Sequence, residues 1–331
     1  MTKEENQIGV DVDSKLLVCS RSVGEKIYPI KKFTNDAVGH RKFVHWATQR
    51  DRSARVCMEA TGVYSLLFAL TLDTTQDIRV AVVNPRAIKH FAEAILQRGK
   101  TDAMDANTIR EYLIRMKFRE WVPPKTEILE LQLLTRRVIQ LNTELTRERN
   151  RHHAANRMGV HGRVIANDTA VNMRHIQRRI ELLDVEILTL IKASPELDEK
   201  LKLLQSITGI ADKTGPRILV ELLALPKDMT AKQWVAYAGL DPRPYESGTS
   251  THKVRRISKQ GNKYVRNALY HPALVASRRD ENVAAYYVHL QEKGKKKKQA
   301  LVAIMRKLLL AIWSMFQTNE SWQAEKFYKI A

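Results

Sequence analysis

Four acidic residues in the first third of the chain sit where metal-assisted phosphoryl chemistry would need them. Asp11 interrupts an apolar, strand-like run in IGVDVDSK, and Glu59 closes another in CMEATG. A carboxylate inside an apolar strand costs on the order of several kcal/mol unless it is paired or bound to a cation. Asp102 and Asp105 follow in KTDAMDANTIREYL, one helical turn apart, where like charges repel mildly. Mg2+ takes hard oxygen ligands and keeps waters for phosphate oxygens, so one divalent ion answers both costs. Carboxylates converging on it from separate elements would support phosphoryl transfer. Each acid alone has a plainer role. Asp11 could cap a turn, Asp102 could be an N-cap or first-turn residue, and Asp105 could pair with a surface arginine.

A second candidate region is YESGTSTHKVRRISKQGNKYVRN. Between Arg243 and Arg266 there are seven Lys or Arg and one acid, Glu246. Lys253, Arg255, Arg256 and Lys259, with Arg243 and Lys263 at the flanks, would neutralise backbone phosphates. Ser247, Thr249, Ser250 and Thr251 cluster beside Gly248 in that field. A serine hydroxyl there could act as a nucleophile while the cations stabilise the transition state. Earlier, LLQSITGIADKTGPRILVELL has apolar residues flanking Gly209 and a helix resuming at about Lys213. It resembles a helix-hairpin-helix, whose amides suit a backbone phosphate, and a simple turn between helices is the alternative. Lys100, just upstream of the acid pair, is a further candidate nucleic-acid contact. The run KGKKKK at 293–298 is most simply a solvated face.

Composition fits a polyanionic partner. Lys and Arg number 56 against 36 Asp and Glu, a formal charge of +20, which points to nucleic acid before an anionic membrane. No apolar run approaches the roughly 20 residues of a membrane span. The opening MTKEENQIGV is polar and acidic, unlike a secretory leader. Cys19 and Cys57 have no metal-ligand spacing, and the ten histidines form no metal motif. His152 and His153, in a charged helical run, are expected to face solvent or phosphate. A cytoplasmic, nucleic-acid-associated protein is the class implied.

The elements that must carry these residues fall into three regions. Over 1–124 the signals run three strands, helix, strand, helix, strand, helix, which predicts an α/β layer arrangement with a mixed, RNase-H-like sheet. Pro123 and Pro124 punctuate the chain. Over 125–196 two charged helices, Thr126 to about Met158 and Val171 to about Lys192, carry a/d seams: Leu131, Leu134, Val138, Leu141 and Leu145, then Ile176, Ile180, Leu183, Ile187 and Leu190. Seams this short are expected to pair with each other or with another subunit, and GVHGRVIANDTA is expected to turn between them. The region 197–331 is predicted mainly helical, with the basic Ser/Gly segment in its middle.

Taken in order, IGVDVDSK, MEATGVY, VNPRAIKHFAEA, KTDAMDA, SITGIADKTG, YAGLDPRPYESGTS and RRISKQGNKYVRNALY resemble the DEDD transposases of bacterial insertion sequences. These are the Piv/MooV-type group described as bridge-RNA-guided serine recombinases. The likeness runs through nearly the whole chain. It implies a RuvC-like N-terminal domain, a coiled-coil segment and a C-terminal transposase domain. It further implies Mg2+ held by Asp11, Glu59, Asp102 and Asp105, and Ser247 as the nucleophile that forms a transient phosphoserine bond. Donor and target DNA, a structured guide RNA and a homo-oligomer, dimer to tetramer, are the partners it implies, with the acids and the serine of one active site supplied by different subunits. Asp13 competes with Asp11, and Ser250 with Ser247. The alternative is a RuvC-like Holliday-junction resolvase, with the same acids and water as nucleophile.

Overall fold

Alternating apolar residues in the first region build a sheet buried on both faces. The computed structural model describes residues 5–49, 52–243, 246–247, 251–252 and 256–330. It divides into two compact units, Met1–Pro123 and Pro124–Ala331.

In the first unit the strands are β1 (Asn6–Val12), β2 (Leu16–Val23), β3 (Lys26–Ile27), β4 (Lys31–Thr34), β5 (Ala54–Glu59) and β6 (Ile78–Val83). They form one mixed sheet in the order β3-β2-β1-β5-β6, with β4 also on β2; β1–β2 is antiparallel, and β1–β5 and β5–β6 are parallel. The expected third strand is split between β3 and β4: Tyr28 N still donates to Arg21 O at 2.9 Å, and the break falls at Pro29, which has no N–H to donate. Helices α1 (Ala37–Ala47), α2 (Val63–Asp73), α3 (Pro85–Ala94) and α4 (Asp102–Arg115) complete the unit. One core holds Ile8, Val10, Val56, Met58, Phe43 and Phe68. A second holds Cys57, Ala81, Ile88, Ile109 and Leu113. Residues alternate between faces along a strand, so Gly9 and Asp11 share the face that meets α4.

The second unit opens with α5 (Thr126–Arg157) and α6 (Arg163–Ala193), whose seams close against each other. The expected turn is shorter than its sequence suggests: a 3-10 turn spans Gly159–Gly162 and α6 begins at Arg163, eight residues before the expected Val171. His152 does not face solvent. Its Nδ1 lies 3.0 Å from Ala166 O and 3.1 Å from Thr169 Oγ1, tying the two helices near the turn. The remaining elements are α7 (Pro195–Gln205), α8 (Gly215–Leu223), α9 (Ala231–Tyr237), β7 (Pro242–Arg243), β8 (Glu246–Ser247), β9 (Thr251–His252), β10 (Arg256–Ile257), α10 (Lys263–Ala268), α11 (Tyr270–Arg279), α12 (Glu281–Glu292), α13 (Lys297–Thr318) and α14 (Ala324–Phe327). One continuous core runs from Ile128 in α5 to Phe327 in α14.

Among the described residues α13 is long and apolar enough to cross a membrane, with a mean hydropathy of 1.5. That corrects the expectation that no such run exists. Its apolarity serves the core, where Ala300, Leu301, Ile304, Leu308, Leu309 and Ile312 are buried.

Glu221 stands in the apolar helix RILVELL and is buried. Arg136 meets it with Nε at 2.7 Å and Nη2 at 3.0 Å, and Asn262 Nδ2 donates to it at 2.6 Å and to Tyr237 Oη at 2.8 Å. Asn262 Oδ1 also caps α10, accepting from Tyr264 N at 2.7 Å. A buried carboxylate stripped of its cation is strongly destabilising. Arg136→Met should therefore lower unfolding stability by about 3 kcal/mol in chemical denaturation, and adding Glu221→Gln should recover part of the loss. Equal stability of Arg136→Met and the parent would refute this.

Candidate active site

The acids owe their meeting to a glycine. A Cβ at Gly9 would fall on backbone atoms of Arg110 and Ala106 and 2.8 Å from Arg110 Cα, so only glycine lets α4 lie this close to β1. Ser20, opposite Gly9 in the ladder, fixes the docking: its Oγ donates to Asn107 Oδ1 at 2.7 Å and accepts from Arg110 Nη1 at 2.9 Å. Arg110, 3% exposed, also reaches Glu111 Oε1 at 2.7 Å. Gly9, Ser20, Asn107 and Arg110 are absent from the candidates singled out by sequence. Their signal was a glycine in an apolar strand and an arginine on the apolar face of ANTIREYL.

That docking aims α4's first turn at the strand ends. Thr101, not Asp102, is the N-cap, its Oγ1 accepting from Met104 N at 3.2 Å. Asp102 and Asp105 occupy the first turn, where the helix N-terminus favours negative charge. The β1–β5 register pairs Val10 with Met58, so Asp11 and Glu59 come next along parallel strands on the same sheet face. Asp11, Glu59 and Asp105 are half-buried and Asp102 is exposed. Burial first, then the charges of Asp105 and Asp102, push the Asp11 carboxyl up to about 6, with Lys100 pulling the other way. Burial, Asp11 and Asp105 raise Glu59, again against Lys100.

Asp13 has a different occupation. It is exposed in the β1–β2 turn, accepting from Lys15 N at 3.4 Å and Ser14 Oγ at 3.3 Å; the Ser14 backbone amide first, then the Lys15 amide and the Ser14 hydroxyl, hold its carboxyl below the usual range. Among the described residues no three His, Cys, Asp or Glu side chains stand close enough to hold a metal ion. The four acids share one electrostatic neighbourhood without being drawn into a cage, as mutual repulsion and the exposure of Asp102 dictate. Their donor chemistry still suits a hard divalent cation: every ligand is a carboxylate oxygen, and a cation would offset the burial and repulsion that raise Asp11.

The basic segment is anchored at its base. Ser258 N donates to Asp241 O at 2.9 Å, Lys259 N to Gly239 O at 3.0 Å, and Arg266 Nη1 to Ala238 O at 2.8 Å. The strands pair as nested hairpins, Arg243 with Arg256 and Ser247 with Thr251. The Ser247 backbone is described, but its side chain lies outside the described residues, as do Gly248, Thr249, Ser250, Lys253 and Arg255. Arg243, Arg256, Lys259 and Lys263 are exposed, as are Lys100 and Lys213. Gly209, with φ +97°, faces α11, where a Cβ would lie 2.9 Å from Pro272 O. The glycine there allows close helix packing.

Residues 8–155 match the DEDD transposase family of the IS110 type, and residues 201–288 match the transposases of the IS116/IS110/IS902 family. The chain is 32% identical over 291 residues to the pilin gene-inverting protein of Moraxella bovis, covering 87% of this chain and 88% of that protein. The chain belongs to the IS110 family of transposases. The transposase is an enzyme of DNA cleavage and rejoining. It is equally similar to the pilin gene-inverting protein of Moraxella lacunata. It is also 27% identical over 150 residues to a 43.6 kDa protein of insertion element IS110 from Streptomyces coelicolor, covering 45% of this chain and 35% of that one. The first match spans the acids and most of α5; the second spans the serine segment.

Asp11 supplies a stability test for the transposase. Its carboxyl titrates near 6 in the fold, against an ordinary value of 3.8. The folded state therefore holds an extra proton between those values, and stability falls as pH rises through that window. Asp11→Asn should raise unfolding stability at pH 8 by on the order of 1 kcal/mol after solvent screening, and change it little at pH 4. Thermal melts at both pH values check the difference. A variant less stable at pH 8 would contradict the strained-carboxylate picture.

Proposed function

We propose that this transposase is an RNA-guided, site-specific recombinase of a bacterial insertion sequence, working in the cytoplasm on nucleoid DNA through a phosphoserine intermediate. The observation that carries the reading is the shared field of Asp11, Glu59 and Asp105, three carboxylates brought to one end of the sheet by β1, β5 and α4. Asp11, Glu59, Asp102 and Asp105 would hold Mg2+, and the bound ion would withdraw charge from the scissile phosphate. The Ser247 hydroxyl attacks the phosphorus, a serine–phosphate bond forms, and the strand's own P–O bond breaks as the released sugar hydroxyl gains a proton. Reversal by a new strand's hydroxyl rejoins the DNA without a nucleotide cofactor.

Lys100, Gly209, Lys213, Arg243, Lys253, Arg255, Arg256, Lys259 and Lys263 form the proposed nucleic-acid contacts, and the net charge of +20 suits a large phosphate surface. A guide RNA pairing with donor and target DNA supplies sequence choice. Acids and serine come from different subunits of a homo-oligomer. A relative named for inverting a pilin gene supports rearrangement without loss of DNA, and this favours strand rejoining over hydrolysis by a resolvase.

Ser247→Ala should abolish protein–DNA adducts that survive denaturation while leaving DNA binding intact. Denaturing gels with labelled junction DNA and the adjoining non-coding transcript read this directly. Persistent adducts would remove Ser247 from the mechanism, and cleavage without any adduct in the parent protein would favour water. Because protons compete for the Asp11 carboxyl near pH 6, Mg2+-supported cleavage should fall as pH drops through about 6 and recover partly at higher Mg2+. A rate insensitive to Mg2+ at every pH would contradict the metal assignment.

A further inference from the structure

The segment between α3 and α4 holds a residue whose backbone and side chain both run against folding economy. Helix α3 ends in a Schellman motif: Leu96 N donates to Glu93 O at 3.1 Å and Gln97 N to Ala92 O at 3.0 Å. Glycine is usual at the left-handed position of this motif, yet here it is Leu96, with φ +57°. Three other described non-glycine residues have positive φ, Asp77, Lys259 and Asn319, and all are polar. Asp and Asn can bond locally in that conformation and leucine cannot. The Leu96 side chain is 79% exposed, so no packing within the described residues compensates the strain.

The loop is nevertheless firmly held. Gln97 Nε2 donates to Gly99 O at 3.1 Å, Gln97 Oε1 accepts from Thr108 Oγ1, and Thr101 caps α4. Met104 Cε would lie 3.1 Å from a Cβ at Gly99, so it covers the loop from the helix side. Leu96 is thus presented outward on a built support, with Ile95 beside it, 42% exposed. Arg98 and Lys100 follow, both exposed and without an ion pair among the described residues. No acid lies between Glu93 and Asp102. The loop then runs into the first turn of α4, where Asp102 and Asp105 stand.

An apolar tip followed by two exposed cations is a poor protein interface, whose centre is depleted in charge. It suits a duplex, where apolar side chains enter base steps and cations grip the adjoining phosphates. We propose that Leu96 is a wedge that enters the base stack of the DNA duplex held at the acidic centre, with Arg98 and Lys100 clamping the phosphates beside it. The unstacked step would place a deformed, accessible phosphate next to the carboxylates. The proposal rests on the reading of those carboxylates as the DNA-cutting centre.

The probe is a short duplex carrying the insertion-sequence junction, with 2-aminopurine placed at each step across the cut site in turn. The full-length protein and the adjoining non-coding transcript complete the mixture. Fluorescence is read in an Asp105→Asn background, so unstacking is measured apart from cutting. With Leu96 present, emission should rise several-fold at one step; Leu96→Gly should remove the rise and weaken binding roughly tenfold, and Leu96→Phe should keep it. Leu96→Gly should also melt about 2–4 °C higher, because glycine relieves the left-handed strain. Undiminished emission in Leu96→Gly, no rise with Leu96, or a lower melting temperature would overturn the wedge. So would a changed oligomeric mass of the free Leu96→Gly protein, which would make the side chain a subunit contact. Cutting by Asp105→Asn, read on gels, would instead fault the acidic centre and leave the fluorescence result standing.

Discussion

The close approach of α4 to β1 is the constraint from which the acidic centre follows. A side chain at position 9 would strike the backbone of Ala106 and Arg110, so the helix can rest on the strand only where the strand carries no Cβ. That contact fixes the distance, and the Ser20–Asn107–Arg110 bonds fix the rotation. Together they turn the first turn of α4 toward the ends of β1 and β5. Carboxylates that would repel and drift apart on flexible segments are held within one another's field by ordinary packing. The cost appears in Asp11, whose proton is released only near pH 6. A site that stores such strain is ready for whatever cation or phosphate relieves it, which is how functional centres commonly perturb their own groups.

The second unit solves a different problem with the same means. Its basic segment is rich in Lys, Arg, Ser and Gly and has little to bury, so its position depends on its base. Asn262 provides that base by joining the α10 cap to Glu221 and Tyr237, while Arg136 neutralises the buried carboxylate from α5. The helical hairpin therefore does more than extend from the unit: one of its arginines completes the network beneath the segment that carries Ser247. Burial of this kind is expensive unless every partner is present, and here the carboxylate has a bidentate cation and an amide donor.

Much of this was legible in the sequence because it rests on periodicity. The strand and helix order of the first unit, the a/d seams and the placing of Asp11 and Glu59 on strands all follow from apolar spacing. Shared register of Asp11 and Glu59 was not legible, since parallel pairing depends on residues distant in sequence. The early start of α6 was missed because ANDT reads as loop chemistry, whereas His152 and Thr169 use those polar groups to bridge the helices. Apolarity of α13 was hidden by the lysines that begin it. The docking of α4 on β1 left only a faint local trace, a glycine in an apolar strand and an arginine on an apolar helix face, and none for Ser20, because it is a property of the contact and of neither strand nor helix alone.

Asp11 and Asp105 share one field because α4 sits against β1. Carboxyl-carbon NMR titration of Asp11, in the parent protein and in Asp105→Asn, measures this directly. An Asp11 midpoint near 6 is expected in the parent and a clearly lower one in the variant. A midpoint in the ordinary aspartate range, or one that ignores the loss of Asp105, would contradict it.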